Sequence, residues 1–357
     1  MKLFKELMVS VAIVAVFFLL MGVVLPSKRH IEETVDTNRN TTVVYDMLNG
    51  FGRFKDWNAV FMRDPAAQYK ISGPAEGKGA KIEYTSKVRE VGKGSWTITG
   101  NEPGKRIDFA LVNEDMGNNK KSSFILTPNE NGRKVEIKQT YDVEYGFNLI
   151  GRYAGMYAKS YMGEDMKMGL RKLTSLLSDI PNMPYDRMTV PLAPPKVVEL
   201  PAEDVLVISS GTLNNDISDV WLSVKKNQEW ISRTLAANGL QAAGPYRLVT
   251  TDYNSANYGY DLVQPVTKAG VQPGQIPTMS VAAPVKFLKI PARRATMTSI
   301  ANADFNSLQL TRESLRAWTM VRGMEIADRP FDVYKSGTDL SFTAGSAQFD
   351  TYWPIKK

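Results

Sequence analysis

Apolar residues follow three spacings along the chain, and each spacing predicts a different kind of element. Residues 7–25 are almost continuously apolar, as in a helix that is apolar on every face. Between residues 28 and 145, short stretches alternate apolar and polar residues, which is typical of half-buried β-strands. Residues 149–177 and two later segments carry apolar residues at spacings of three and four, which indicates amphipathic helices. The pattern therefore predicts an α+β protein behind an N-terminal apolar helix.

The N-terminal apolar run, Leu7–Leu25, contains 19 residues, of which only Ser10 is polar. At ~1.5 Å per residue a helix of this length spans about 28 Å, close to the ~30 Å of a bilayer's hydrocarbon core. Two lysines precede the run, which favours a cytoplasmic N-terminus, although the Lys-Arg pair that follows it weakens this argument. The residues before Pro26 lack the small-residue ending of a cleavage site. We interpret residues 1–27 as an uncleaved signal anchor; a cleaved signal peptide and a buried core helix are the alternatives.

Residues 28–182 are predicted to form a first domain, in which a curved antiparallel sheet grips one long helix. The predicted strands are 31–35, 68–72, 80–86, 95–100, 106–112, 122–127 and 134–145, and the main predicted helices are 41–48 and 149–177. Three glycines in the long helix indicate close backbone approach or a break near Gly163. Such an arrangement leaves a cavity between sheet and helix. Trp96 either lines this cavity or fills the core, and Tyr153 and Tyr157 are expected to face it from the helix.

Short motifs are spread over the whole first domain. They are Trp57-Asn58, Ile71-Ser72-Gly73-Pro74 with Gly77 and Gly79-Ala80, Gly94 with Ile98, Phe124-x-Leu126-Thr127-Pro128, and the segment from Tyr153 to Gly169-Leu170. Together they resemble the START-like SRPBCC superfamily, and most closely its polyketide cyclase-type members. The resemblance implies the helix-grip fold. It says little about function, because this fold serves lipid binders, hormone receptors and cyclases alike.

Residues 196–357 contain one order of segments twice. Each copy opens with a strand that ends in proline, Pro201 or Pro291, and closes with a strand that contains a second proline. That second proline is Pro265 or Pro354, so the two spacings are 64 and 63 residues. A glycine ends the amphipathic helix of each copy. Two strand–helix–strand–strand units normally pair about a pseudo-twofold axis, and the groove along that axis is a natural ligand site.

The motifs of this repeat are the Glu-Leu-Pro after the first strand, Gly-Pro-Tyr before the second, and the closing Asp-x-Tyr-x-Pro-Ile that begins at Asp350. They resemble the GyrI-like family, which includes the effector-binding domains of AraC-type regulators. The resemblance implies a pseudo-symmetric α+β module that binds small, often cationic or aromatic molecules. An acidic residue that the family often keeps in its last strand corresponds here to Asp350, which is one methylene shorter. No helix-turn-helix precedes the domain, so the resemblance does not imply a DNA-binding role.

The candidate ligand site of the second domain is built around Asp350. Asp350 is expected to supply charge, while Tyr352, Tyr260 and Trp318 supply aromatic surface. Asp261 is the equivalent of Asp350 in the first copy. The alternative is that both aspartates are solvated residues at strand starts or turns. Strand alternation places Tyr352 on the same side as Asp350 and the neighbouring tryptophan on the other side.

Composition excludes several classes of function. The sequence has no Cys and a single His, His30, directly after the apolar run. Thiolate metal sites, cysteine nucleophiles and disulfides are therefore excluded, and a Ser-His-Asp hydrolase is not expected. The net charge of +7 is dispersed over both domains, so we expect a solvated surface rather than a nucleic-acid site. We expect no metal and no cofactor.

Residues 183–195 belong to a proline-dense stretch and are predicted to be an extended linker. The predicted organisation is a signal anchor (1–27), a START-like domain (28–182), this linker, and a GyrI-like domain (196–357). We therefore expect a single-pass protein of the bacterial inner membrane, with both domains outside the cytoplasm and each binding a hydrophobic or cationic small molecule. The alternatives are a polyketide cyclase-like or hydrolytic enzyme and an envelope scaffold protein. No acid–base pair is recognisable, so catalysis is not expected.

Overall fold

The structure, a computed structural model, describes residues 2–129, 134–183, 194–301, 305–337 and 347–356. The chain divides into two compact units, Met1–Asn182 and Met183–Lys357, which we call the first and second domains. Most of the predicted linker, residues 184–193, lies outside the described residues.

The first domain begins with helix α1, Lys2–Val24. Residues Leu3–Val24 form the one helix in the described part of the chain that is long and apolar enough to cross a membrane, with a mean hydropathy of 2.9. Only 6% of its most apolar stretch is buried. An apolar helix that stays uncovered is suited to a lipid environment rather than to a protein core.

A seven-stranded antiparallel sheet follows, in the spatial order β1-β7-β6-β5-β4-β3-β2. Its strands are β1 Lys28–Thr37, β2 Gln68–Ser72, β3 Lys81–Thr85, β4 Lys93–Glu102, β5 Arg106–Asn113, β6 Asn118–Asn129 and β7 Lys134–Glu144. The helices are α2 Thr41–Leu48, α3 Phe54–Trp57, α4 Ala59–Arg63, α5 Leu149–Gly155 and α6 Glu164–Ser178. The predicted strands match in number and order because alternation and the Gly and Asn clusters between strands are local signals.

The long C-terminal helix of this domain is broken. A π-helical turn, Lys159–Gly163, separates α5 from α6, so the break lies where glycine predicted it. The stripe of α6 buries Met166, Leu170, Leu173 and Leu177 against the sheet, as their spacing of three and four requires. Gly155 allows close approach instead: a Cβ there would lie 2.6 Å from Cε2 of Tyr145.

The second domain is built on one nine-stranded antiparallel sheet. Its strands are β8 Lys196–Leu200, β9 Glu203–Asn214, β10 Gln241–Ala242, β11 Arg247–Tyr253, β12 Asn257–Thr267, β13 Lys286–Ile290, β14 Arg293–Ala301, β15 Phe331–Tyr334 and β16 Gln348–Ile355. Helices α7, Ile217–Asn238, and α8, Phe305–Val321, complete it. The Asp216 side chain accepts hydrogen bonds from the N–H groups of Ser218 and Asp219 at the start of α7, and Gly239 ends the helix at φ 62°.

The strand order β13-β9-β12-β11-β15-β16-β14-β8 has the predicted pseudo-twofold symmetry. The axis passes through the Leu248–Asp332 pair, where the central strands β11 and β15 meet. The strand that opens each repeat pairs with a strand of the other repeat: β8 of the first copy pairs with β14 of the second, and β13 of the second copy pairs with β9 of the first. The α+β class, the helix-grip first domain and the duplicated second domain are thus confirmed.

Candidate ligand-binding sites

The first domain contains a cavity of about 90 Å³ between its sheet and helix α6. Four strands and α6 supply most of the apolar lining, and α3 and α4 close one side. The lining includes Trp57, Val60, Tyr84, Trp96, Leu111, Gln139, Tyr141, Met162, Met166 and Gly169. Successive side chains of a strand point to opposite faces, so Tyr84, Trp96, Leu111 and Tyr141 all reach the concave side. Trp96, which the sequence left open between cavity lining and core packing, is buried and contributes to the lining.

Polar side chains supply a substantial part of the lining, among them Asn58, Asn113 and Gln139. Gln139 is buried, and its Nε2 donates to Ser122 Oγ at 3.4 Å. Within the described part of the chain, the buried Nε1 of Trp57 has no hydrogen-bond acceptor. Burial raises the pKa of Tyr84 to about 12, and it also raises the pKa of Tyr141, so both phenols are neutral at physiological pH. The interior offers an apolar surface with an amide and an indole N–H.

Charged residues lie at the mouth of the cavity. Glu90, in the β3–β4 connection, and Asp115, in the β5–β6 connection, are exposed lining residues. Arg63 donates to Asp165 at the start of α6, with Nε 2.9 Å from Oδ1. Lys120 holds the β5–β6 connection by donating to the carbonyl oxygen of Asp115 at 2.6 Å, and burial lowers its pKa. The mouth is thus framed by two strand connections and the N-terminal end of α6.

Tyr153 and Tyr157 do not line this cavity. The Tyr153 ring stacks on Phe18 of α1, with centroids 4.1 Å apart, and its hydroxyl donates to the Phe18 carbonyl oxygen at 2.7 Å. Tyr157 is 67% exposed. The expectation that both face the cavity is therefore wrong in geometry. The physical reason is the π-helical turn, which changes the helical phase between α5 and α6.

The candidate residues of the second domain lie on two opposite faces of its sheet. Tyr260 is fully buried on the helix side, where its hydroxyl donates to Ser223 Oγ at 2.9 Å. Trp318 is on α8, with the guanidinium of Arg322 4.4 Å from its ring centroid. Asp350 and Tyr352 point to the face without helices, because the alternate residues of β16 pack toward α8. The structure therefore does not bring the four predicted residues together.

Asp261 and Asp350 occupy symmetry-equivalent positions. Asp261 pairs with Val249 of β11, and Asp350 pairs with Val333 of β15, which is the pseudo-twofold mate of Val249. Asp350 is 8% exposed and accepts from Ser299 Oγ at 2.5 Å and from Lys335 Nζ at 3.2 Å. Its charge is therefore already paired.

Aromatic and cationic groups surround these aspartates. Tyr352 stacks on Phe331, with centroids 4.7 Å apart and an interplanar angle of 5°. The guanidinium groups of Arg247 and Arg293 lie over Phe331 at 5.6 and 5.2 Å. The Arg247 guanidinium also forms a two-point ion pair with Glu203.

The sequence interpretation missed a buried ion pair on the helix side of the second domain. The Arg312 Nε donates to Asp332 Oδ2 at 2.9 Å, and both side chains are almost fully buried. The Thr351 hydroxyl donates to the other oxygen of Asp332 at 2.8 Å. A signal was present, since Arg312 lies within the apolar helical stripe between Leu308 and Leu315. A buried charge in such a stripe requires a partner of opposite charge. Local sequence does not predict that this partner lies on β15.

Comparison with known protein families gives a match to the first domain. Residues 28–178 match the family model described as polyketide cyclase/dehydrase and lipid transport. This match covers the same residues as the motifs that resemble the START-like superfamily. No curated protein sequence matches the chain significantly.

Solved structures similar to this chain include proteins of two kinds. The EcmrR C-terminal domain is 18% identical, covers 48% of this chain and 99% of its own, and has a TM-score of 0.35. Truncated norcoclaurine synthase from Thalictrum flavum is 9% identical, covers 42% of this chain and 93% of its own, and has a TM-score of 0.34. The resemblance of the second domain to the GyrI-like family stays a prediction.

Proposed function

We propose that the first domain binds a small hydrophobic molecule in the cavity under α6, and that α1 anchors the protein in a membrane. The observation that carries the proposal is the cavity itself. Protein interiors are normally packed without voids much larger than a water molecule. A cavity that combines aromatic and aliphatic side chains with polar groups and has an open mouth is the usual form of a small-molecule site.

The lining indicates the chemistry of the ligand. The buried side chains Trp96, Leu111 and Tyr141 offer apolar contact, and the buried indole N–H of Trp57 offers a donor. A ligand with an apolar body and one acceptor atom, such as a carbonyl or hydroxyl oxygen, matches this surface. The cavity volume of about 90 Å³ is small beside the roughly 300–1,000 Å³ of a typical ligand pocket. A larger ligand therefore extends through the mouth.

Contacts made by Arg152 support retention of α1. This arginine is buried, and its Nη1 donates to the carbonyl oxygens of Val23 at 2.7 Å and Leu25 at 3.2 Å. Its Nε donates to the Gly146 carbonyl oxygen at 2.8 Å. Removal of α1 would take away the Val23 acceptor of this guanidinium and the Phe18 partner of Tyr153. We infer that α1 is an anchor that stays attached to the first domain.

The test is a matched pair of substitutions on strand β5, assayed on the full-length protein in detergent. Leu111→Trp fills the cavity, whereas Ala110→Trp places the same side chain on the opposite face of the same strand. With 1-anilinonaphthalene-8-sulfonate as the probe, we expect Leu111→Trp to weaken binding at least tenfold and Ala110→Trp to change it less than twofold. Equal binding by both variants would exclude the cavity as the site.

For the second domain we propose a weaker site on the face without helices. The supporting observation is that Asp261 and Asp350 are symmetry-equivalent and flank an aromatic and arginine-rich centre. A cation that binds there must displace Lys335 from Asp350. Tyr352 belongs to this site by position, whereas Tyr260 and Trp318 lie on the other face.

A further inference from the structure

The C-terminal end of α1 is held against α5. Arg152 donates to carbonyl oxygens of the last turn of α1, and Tyr153 both stacks on Phe18 and donates to its carbonyl oxygen. A Cβ at Gly22 would lie 3.1 Å from the Leu149 Cβ, so glycine permits this close packing. Helix α5 therefore lies beside the last two turns of α1.

This contact fixes the depth of α5 relative to a bilayer. The 22 residues of Leu3–Val24 span about 33 Å as a helix, against ~30 Å for the hydrocarbon core. Phe18 lies six residues before the end of α1, which is about 9 Å along the helix axis. If α1 crosses the membrane, only about 3 Å of it can extend beyond the core. Tyr153 then lies at the level of the lipid headgroups or deeper.

Several exposed side chains around α5 are apolar, as such a depth requires, and charged side chains such as Arg89, Glu90 and Glu114 are exposed at the same end of the sheet. Phe147 is 96% exposed, and Ile150 of α5 is 63% exposed. Outside α1, the described part of the first domain exposes ten large apolar side chains. Two of them, Tyr69 and Ile71, lie on β2, and the other eight lie near the α1–α5 junction or at the sheet end beside it: Val88, Val112, Met116, Phe147, Ile150, Met156, Tyr157 and Tyr161. We call these eight residues the apolar end.

Strand register places the cavity mouth at the same end. Lys28, the first residue after the anchor segment in β1, pairs with Glu144 at the end of β7, and Asn118 at the start of β6 pairs with Glu144 too. Asn113 at the end of β5 pairs with Gly94 at the start of β4. The β3–β4 and β5–β6 connections that frame the mouth therefore leave the sheet at the edge where α1 enters.

We propose that the apolar end is seated in the headgroup region of the bilayer that α1 spans, so that the cavity mouth opens onto lipid. The proposal rests on membrane anchoring by α1 and deepens the proposed function, because the ligand then enters from the membrane. Exposed aromatic and aliphatic side chains beside a membrane helix are stabilised by transfer into the membrane interface. In water the same exposed patch would favour aggregation. The occupant of this surface is the membrane itself, not a protein partner.

The chain has no cysteine, so single cysteines can report the depth of chosen positions. Phe147→Cys, Tyr157→Cys and Met116→Cys are each labelled with an environment-sensitive fluorophore. They probe the segment before α5, the segment after it and the cavity mouth. Lys105→Cys, in the β4–β5 turn at the opposite end of the sheet, is the control. The labelled full-length proteins are reconstituted in phosphatidylcholine vesicles that contain lipids with a shallow nitroxide quencher.

We expect the fluorophores at the first three positions to be quenched several-fold more strongly than the fluorophore at the control position. We also expect them to emit at shorter wavelength in vesicles than in denatured protein without detergent. Quenching at Phe147 and Tyr157 but not at Met116 would overturn the lipid-facing mouth. No quenching at any of the three would overturn the seating. Neither result would affect the dye-binding comparison of Leu111→Trp and Ala110→Trp, so failure here is distinct from failure of the proposed cavity.

Discussion

The interiors of the two domains differ in packing. The first domain leaves a cavity between sheet and helix, and keeps its charged residues at the mouth. The second domain fills the space between α8 and the central strand β15 with the ion pair of Arg312 and Asp332. Both interiors are built from alternating strands under an amphipathic helix. The difference shows that the same layer arrangement serves as a container or as a closed core, depending on a few side chains.

Symmetry in the second domain is a property of the backbone and not of its chemistry. Asp332 pairs across the pseudo-twofold axis with Leu248, so the equivalent buried position is charged in one repeat and apolar in the other. Asp261 and Asp350, by contrast, keep the same chemistry in both repeats. This retained acidic pair favours the face without helices as the candidate ligand surface.

The largest expected effect comes from breaking the buried pair. Asp332→Asn or Arg312→Met leaves one buried charge without its counter-ion, which typically costs about 3–5 kcal/mol. Urea unfolding of the second domain should show this loss, and the double variant Arg312→Met/Asp332→Leu should recover much of it. The control is Asp328→Asn, because the Asp328 carboxylate is exposed and lies 3.8 Å from Arg293, so its loss should change stability by less than about 1 kcal/mol. Similar small effects at both sites would mean that the core does not depend on the pair.

Two glycines of the first domain test the difference between a tightly packed position and one beside the cavity. Gly155→Ala should destabilise the domain by about 1–3 kcal/mol, because its Cβ would collide with the Tyr145 ring. Gly169→Ala should be neutral or stabilising by up to about 1 kcal/mol, since its Cβ would lie 3.5 Å from the Trp57 carbonyl oxygen, an ordinary contact. Thermal unfolding in detergent measures both. Equal destabilisation would contradict the packing described for α5.

The proposed binding surface of the second domain can be tested by removing Lys335, the cationic side chain that pairs with Asp350. Lys335→Met frees Asp350 from its ion pair, so affinity for a small aromatic cation, benzyltrimethylammonium, should rise several-fold by calorimetric titration. Adding Asp350→Asn to that variant should abolish the gain, whereas Glu325→Gln, on an exposed pair with Lys356, should leave it unchanged. A gain that survives Asp350→Asn would remove this aspartate from the site.

The smallest effect concerns His30 on β1. Its ring nitrogens lie 2.9 Å from a Glu32 oxygen and 2.7 Å from an Asp142 oxygen, and the protonated ring donates to both carboxylates. These hydrogen bonds, that to Glu32 first, raise the pKa of His30 above 6.5. A raised folded-state pKa stabilises the fold below pH 6.5, and this stabilisation is lost as pH rises through the folded value. As His30 is the only histidine, its C–H resonance reports the titration directly. Glu32→Gln should lower the midpoint, and an unchanged midpoint would contradict the pairing.

Local signals explain what the sequence could predict. Helix 41–48, the seven strands of the first domain and the duplication depend on alternation, glycine and proline, which act over a few residues. Strand parity predicted that Trp96 points inward, but it could not decide between cavity lining and core packing. Tyr153 and Tyr157 were misplaced because a π-helical turn shifts the helical phase without a distinct sequence pattern. The pairing of Arg312 with Asp332 depends on how α8 packs over β15, which only the fold determines.

The most direct test of the central claim is native mass spectrometry of the full-length protein released from detergent micelles. A hydrophobic molecule bound in the first-domain cavity should appear as an added mass on the wild type and on Ala110→Trp. It should be absent or strongly reduced on Leu111→Trp, where the cavity is filled. The same adduct at equal occupancy on all three proteins would contradict the account, because the bound molecule would then lie outside the cavity.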